Sequence, residues 1–190
     1  MLRLLTTTAL VAGLFAAPVA FAQVSHPNAS GATAPATVAK ENLSQQDKNF
    51  IKDAAEGGMA EVELSKIAEK SQNPEVKRFA ERMVRDHTAA NTELTGIVTG
   101  MGLEMPGKLD PDHQRIRDQL AGVHGGAFDQ QYMHVMVNDH DQAVKLFREE
   151  DAAGNDTQLK QFAQKTLPII EQHQKMAIDL SHRLAETAAR

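Results

Sequence analysis

The sequence predicts an all-α protein folded as a four-helix bundle, and three observations carry that prediction. Apolar residues recur three and four positions apart through four long stretches, the spacing that gives a helix one continuous apolar face. Capping and helix-breaking residues stand between the stretches. The pentapeptide Met83-Val84-Arg85-Asp86-His87 returns as Met136-Val137-Asn138-Asp139-His140, so Met-Val-x-Asp-His occurs in two of the long stretches. A bundle built from two similar hairpins would carry such a repeat.

Two segments precede the helices. Residues 1–22 read as a secretory signal peptide: Arg3 supplies a positive start, Leu10 to Phe15 an apolar centre, and Ala20-Phe21-Ala22 a small-x-small cleavage pattern before Gln23. The apolar run is short and interrupted by Thr and Pro18, which argues against a membrane span. Residues 23–43, with Ser25, Pro27, Asn28, Ser30, Gly31 and Pro35, show no apolar period and read as a flexible linker. The bundle domain is expected over residues 44–188.

The first helix starts behind Ser44, which forms a capping box with Asp47, and carries Phe50, Ala54, Gly57, Glu61, Leu64 and Ala68 on one face to about Ser71. Asn73-Pro74 restarts the chain, since Asn caps and Pro suits the first helical position. The second helix presents Val76, Phe79, Met83, His87, Ala90, Leu94 and Ile97 and ends near Gly100-Met101-Gly102. So short a turn makes these two helices antiparallel neighbours. Residues 101–126 are less regular: Asp110-Pro111 opens a short helix to about Ala121, and Gly122, Gly125 and Gly126 follow. This link is either a crossover running the length of the bundle or a folded cap at one end.

The third long helix is expected from about Ala127 to Ala153, with Phe128, Tyr132, Met136, His140, Ala143 and Phe147 inward. Gly154-Asn155-Asp156 stops it and caps the fourth, which carries Leu159, Phe162, Thr166, Ile169, His173, Met176, Leu180 and Leu184. Pro168 lies inside this last helix and predicts a kink or loosening rather than an end, because the apolar period resumes beyond it. Two tight hairpins joined by a long, partly helical connection favour the ferritin-like arrangement of a four-helix bundle.

Composition narrows the function. The chain has 190 residues, no Cys, and 20 Lys plus Arg against 25 Asp plus Glu; losing Arg3 with the signal takes the net charge from −5 to −6. A mildly acidic surface without clustered cations argues against nucleic acid as a partner. The lack of Cys removes disulfides, thiol catalysis, zinc-thiolate sites and a lipid-modified cysteine. No nucleophile and base stand at a recognisable spacing, which argues against an enzyme.

What remains is a set of core-facing polar residues. His87, His140 and His173 each fall on the apolar stripe of a different helix, and Glu61 does so on the first. Glu61 and His87 are each 13 residues from position 74, about 20 Å along the axis at about 1.5 Å per residue. His140 and His173 lie 15 residues before and 18 after Asn155, so all four sit near mid-bundle. One reading is a metal site, because imidazoles with one carboxylate suit zinc, copper or iron. Met83, Met136 and Met176 lie one turn away and would tilt the choice toward copper, with Asp86, Asp139 and Glu171 as outer partners that orient the rings. The other reading is a hydrogen-bonded polar core that fixes helix register without any metal. A di-iron carboxylate site is excluded, since no Glu has His three residues later. His26, His113, His124, His134 and His182 lie off the core stripes or in irregular chain and are expected to be solvated. Gly57-Gly58 predicts either close approach of another helix or a gap that admits a ligand.

Gly57-Gly58-Met59-Ala60-Glu61-Val62-Glu63-Leu64, Phe79-Ala80 with Met83-Val84-x-Asp86-His87, and Lys165-Thr166-Leu167-Pro168 with His173 resemble the secreted bacterial family named domain of unknown function 4142. The resemblance spans roughly residues 44–186. It implies a ferritin-like bundle exported to the periplasm or associated with the outer membrane, and it implies no activity. An envelope protein or a second copy of the chain would be the partner of such a protein; a structural or stress-related interaction role is the alternative to metal binding.

Overall fold

The computed structural model describes residues 43–189, and the expected signal peptide and nearly all of the expected linker lie outside the described residues. Five helices and no strands are present among the described residues: α1 (Gln45–Ala68), α2 (Pro74–Gly100), α3 (Pro111–Ala121), α4 (Gly125–Ala153) and α5 (Thr157–Ala188). Four begin on a side-chain cap. Ser44 and Asp47 form the expected capping box, and Asn73, Asp110 and Asp156 each accept from two backbone N–H groups of the first turn. These caps satisfy N–H groups that a helix start leaves unpaired. α1 ends three residues before the expected Ser71, and α4 starts at Gly125 rather than Ala127. Leu43, assigned to the linker, is buried in the core. α5 is continuous through Pro168, whose missing N–H falls on an exposed turn where water can serve the orphaned carbonyl.

The four long helices form a ring in which α1 touches α2 and α4, and α5 touches α2 and α4. Asp47, at the start of α1, accepts from the backbone N–H of Asn155 at 2.9 Å and of Asp156 at 3.1 Å in the α4–α5 turn. At the other end, Ser71 in the α1–α2 turn donates to Asp129 near the start of α4 at 2.5 Å. α2 therefore finishes at the end opposite the start of α4, and residues 101–124 cross the full length of the bundle. Of the two routes the sequence leaves open, the chain takes the crossover, packing α3 against α1 and α4 on the way. Every helix in the ring is antiparallel to both neighbours, as in ferritin-like bundles.

The core has two apolar parts. One gathers Phe50, Leu94, Phe147 and Phe162, with the Phe50 ring edge-on to Phe147 at 5.0 Å. The other gathers Leu64, Phe79, Met83, Tyr132, Met136 and Leu180. In every long helix one polar residue lies between its contributions to the two parts: Glu61, His87, His140 and His173. A polar layer thus divides the core at mid-height. On α5 the inward residue is Ile170, while Ile169, expected inside, is 41% exposed. Among the described residues no helix is long and apolar enough to cross a membrane.

Candidate metal centre

The structure brings together the four residues that the sequence singles out. Glu61, His87, His140 and His173 are 4%, 6%, 0% and 1% exposed. The three imidazoles form a nearly equilateral triangle, with ring centroids 5.2 Å apart for His87–His173 and 5.6 Å for the two pairs that include His140.

Each ring uses one nitrogen for the protein. His87 Nδ1 lies 2.9 Å from Glu61 Oε2. His140 Nδ1 is 2.8 Å from the Met136 carbonyl, one turn back on α4, and 3.2 Å from Glu61 Oε1. His173 Nε2 is 3.0 Å from Asp86 Oδ2. Each such partner accepts from the ring N–H and so directs the lone pair to the opposite nitrogen. Those opposite nitrogens, His87 Nε2, His140 Nε2 and His173 Nδ1, are buried and have no hydrogen-bond partner. An unpartnered buried polar atom is uncommon and unfavourable; here there are three in one layer.

The three histidines each offer one ring nitrogen, and these atoms lie within 4.8 Å of one another. Nitrogens bound to one tetrahedral ion at about 2.1 Å would stand about 3.4 Å apart. Small side-chain rotations span the difference, so His87, His140 and His173 could hold a metal ion. Glu61, the fourth residue of the expected set, lies against the Nδ1 atoms of His87 and His140.

Charge distribution fits that division. Burial would raise the Glu61 carboxyl, but the surrounding histidines, His87 foremost, outweigh it and hold the group at about 2. Burial pulls the His87 imidazole down, yet the Glu61 charge and hydrogen bond raise it overall. Burial and the neighbouring His87 bring His173 down to about 4, so it is neutral and has a free lone pair at neutral pH. Glu61 compensates positive charge in the layer, and a metal ion bound there would compete with the proton that Glu61 favours on His87.

Other expected participants are placed differently. Asp86 serves His173 across the α2–α5 contact and not the adjacent His87, since neighbouring residues on a helix point about 100° apart. Asp139 faces His113, and Glu171 pairs with Arg148 on the surface at 2.6 Å. The Met176 sulfur accepts from Arg82 at 3.4 Å, while Met83 and Met136 pack in the apolar part below the layer. His113 corrects the expectation of a solvated residue: it is half-buried between Asp110, which it meets through Nδ1, and Asp139 at 3.7 Å. The Asp139 and Asp110 charges raise it to about 9 despite opposing burial. Its sequence signal is the spacing Asp110-x-x-His113 at a helix start, which lets one carboxylate cap the helix and meet the ring.

Two cavities adjoin the layer. One of about 380 Å³ is lined by α1, α2, α4 and α5 and by the start of α3, and reaches Glu61 and His87. A smaller one of about 190 Å³ lies between α2 and α5 and reaches His87 and His173.

The fold and this layer define a class: a ferritin-like helical bundle with a buried three-histidine cluster at mid-height. The chain belongs to the family described as domain of unknown function DUF4142, which matches residues 32–180. Among solved structures it resembles a DUF305 fragment from Deinococcus radiodurans, with a TM-score of 0.64 and 14% identity over 74% of this chain and 98% of that one. At that identity the likeness bears on the fold. No curated protein matches the chain.

Proposed function

We propose that this protein binds one transition-metal ion, zinc or copper, through His87, His140 and His173. Glu61, Asp86 and the Met136 carbonyl would orient the rings from outside. The observation that carries this reading is the set of three buried, unpartnered ring nitrogens, one per histidine, each opposite a nitrogen already engaged. Metal-bound histidines characteristically donate their other N–H to a carboxylate or backbone carbonyl. Three imidazoles suit zinc, copper or iron; the engagement of Met176 with Arg82 takes one soft sulfur out of the set and leaves nitrogen donors dominant. A purely hydrogen-bonded core is the competing reading, and the same three atoms count against it, since a settled polar core would pair them. A non-catalytic role in an exported protein agrees with the signal-like residues 1–22, and N-terminal sequencing of protein from fractionated cells tests export.

The metal reading is tested by elemental analysis of the purified full chain beside a His87→Ala/His140→Ala double variant. One equivalent in the parent and a trace in the variant is the expected result. Substoichiometric metal in both, or equal loading of both, sinks the proposal.

A further inference from the structure

Gly57 has no packing reason to be a glycine. Its neighbour Gly58 has one: a Cβ there would run into the Asn91 side-chain amide on α2. At Gly57 an added Cβ would meet nothing within 4 Å, and the backbone is ordinary helix, outside the positive-φ region that favours glycine. A glycine inside a helix costs about 1 kcal/mol relative to alanine. The chain forgoes that stability where alanine would fit.

The space left by the missing side chain belongs to the cavity of about 380 Å³, whose wall includes Gly57. Exposed Asp53 and Glu149 stand at its outer edge, and Glu61 and His87 line it within. His87 Nε2 is buried without a hydrogen-bond partner and Glu61 brings a carboxylate beside it, so the cavity ends on groups that attract a cation. Its walls are acidic: Asp53, Glu56, Asp110, Asp139 and Glu149 join Glu61, against Lys145 and His113, with Lys52 bound to Asp53 and Glu56. Carboxylates in excess within a cleft of low dielectric raise the local concentration of cations and speed their arrival, and they disfavour anions. The smaller cavity suits a cation less. As carboxylates its wall carries only Asp86, which bonds His173 and Arg82, and Glu93, which Lys165 pairs at 2.8 Å, together with exposed Ile169.

We propose that the larger cavity is the port through which a divalent cation enters and leaves the three-histidine layer, and that the bare backbone of Gly57 holds the port open. This rests on the reading of the layer as a metal site.

Stopped-flow uptake of Co²⁺ and Zn²⁺ by the metal-free full chain tests it, comparing the parent with Gly57→Leu, Ala89→Leu in the smaller cavity, and Asp53→Asn/Glu56→Gln. Gly57→Leu is expected to slow association and release together by roughly ten-fold or more, leaving equilibrium affinity nearly unchanged, because a plug acts on the path and not on the bound state. The charge pair is expected to slow association several-fold at low salt and less at high salt. Gly57→Met, whose unbranched chain can follow the cavity wall, provides the plug if circular dichroism shows Gly57→Leu misfolded. Parent-like uptake in both plugged variants overturns the port, as does a slowing confined to Ala89→Leu. Absence of uptake by the parent overturns the metal reading and the port with it, which separates the two failures.

Discussion

Asp47 and Glu61 lie on the same helix, both are buried, and both carboxyls are held below the usual range, yet their partners differ in kind. Asp47 accepts from the backbone N–H of Ser44, Asn155 and Asp156, and these overcome the burial that would raise it. Glu150 is raised to about 7 by burial and by the Asp47 charge, and in its protonated form it donates to that carboxylate. Among the described residues, the buried side-chain polar atoms at this end of the bundle all have a partner once that proton is in place. Glu61 is held by side chains instead, and the histidines around it keep one lone pair each unspent. Burial alone does not separate a residue that closes the fold from one that awaits a ligand. The accounting of donors and acceptors does.

The largest expected effect breaks the structural end. Asp47→Ala removes the capping box and the acceptor of the partly buried N–H groups of the α4–α5 turn, and should lower stability by about 3 kcal/mol in chemical denaturation. The loss should be the same with or without added zinc. His140→Ala should do the reverse: free metal at about 100 times the dissociation constant stabilises a one-site protein by about 2.7 kcal/mol, and thermal melts should show that increment in the parent and not in the variant.

Glu150→Gln sharpens the contrast through pH. The carboxyl moves from an ordinary 4.5 to about 7 on folding, so its contribution is full below 4.5 and disappears as pH rises through 7. The parent should lose about 1–2 kcal/mol across that window relative to Glu150→Gln, read from urea midpoints at pH 5 and 8. His113 supplies the smallest effect, at the edge of the layer. Its imidazole is raised from 6.5 to about 9, so its ties to Asp110 and Asp139 stabilise fully below 6.5 and are lost as pH rises through 9. After allowance for partial exposure, His113→Gln should cost about 1 kcal/mol at pH 6, with the difference disappearing near pH 10; a difference that persists there would mean the ring acts by packing.

The helices were legible because their signals are local. Periodicity, the caps Ser44, Asn73, Asp110 and Asp156, and Gly154 all act within a few residues of their own positions. The meeting of Glu61, His87, His140 and His173 was legible because helix rise converts sequence distance into height and helix period converts it into direction. Ile169 and Ile170 show the limit of that conversion. The buried series on α5 runs Thr166, Ile170, His173, Ala177 and Leu180, and a period of about 3.6 admits three- and four-residue steps in either order, so the pattern alone does not choose between Ile169 and Ile170.

Sequence by itself thus determined the elements and the identity of the polar layer. The tertiary structure decided the rest: that residues 101–124 cross the whole bundle, that Asp86 serves His173, that His113 closes on Asp139, and that Glu61 faces the outer nitrogens and leaves three others free. Each of these depends on which helices are neighbours and how they are rotated against one another. That is set by the packing of all four faces at once, and no single stretch of chain encodes it.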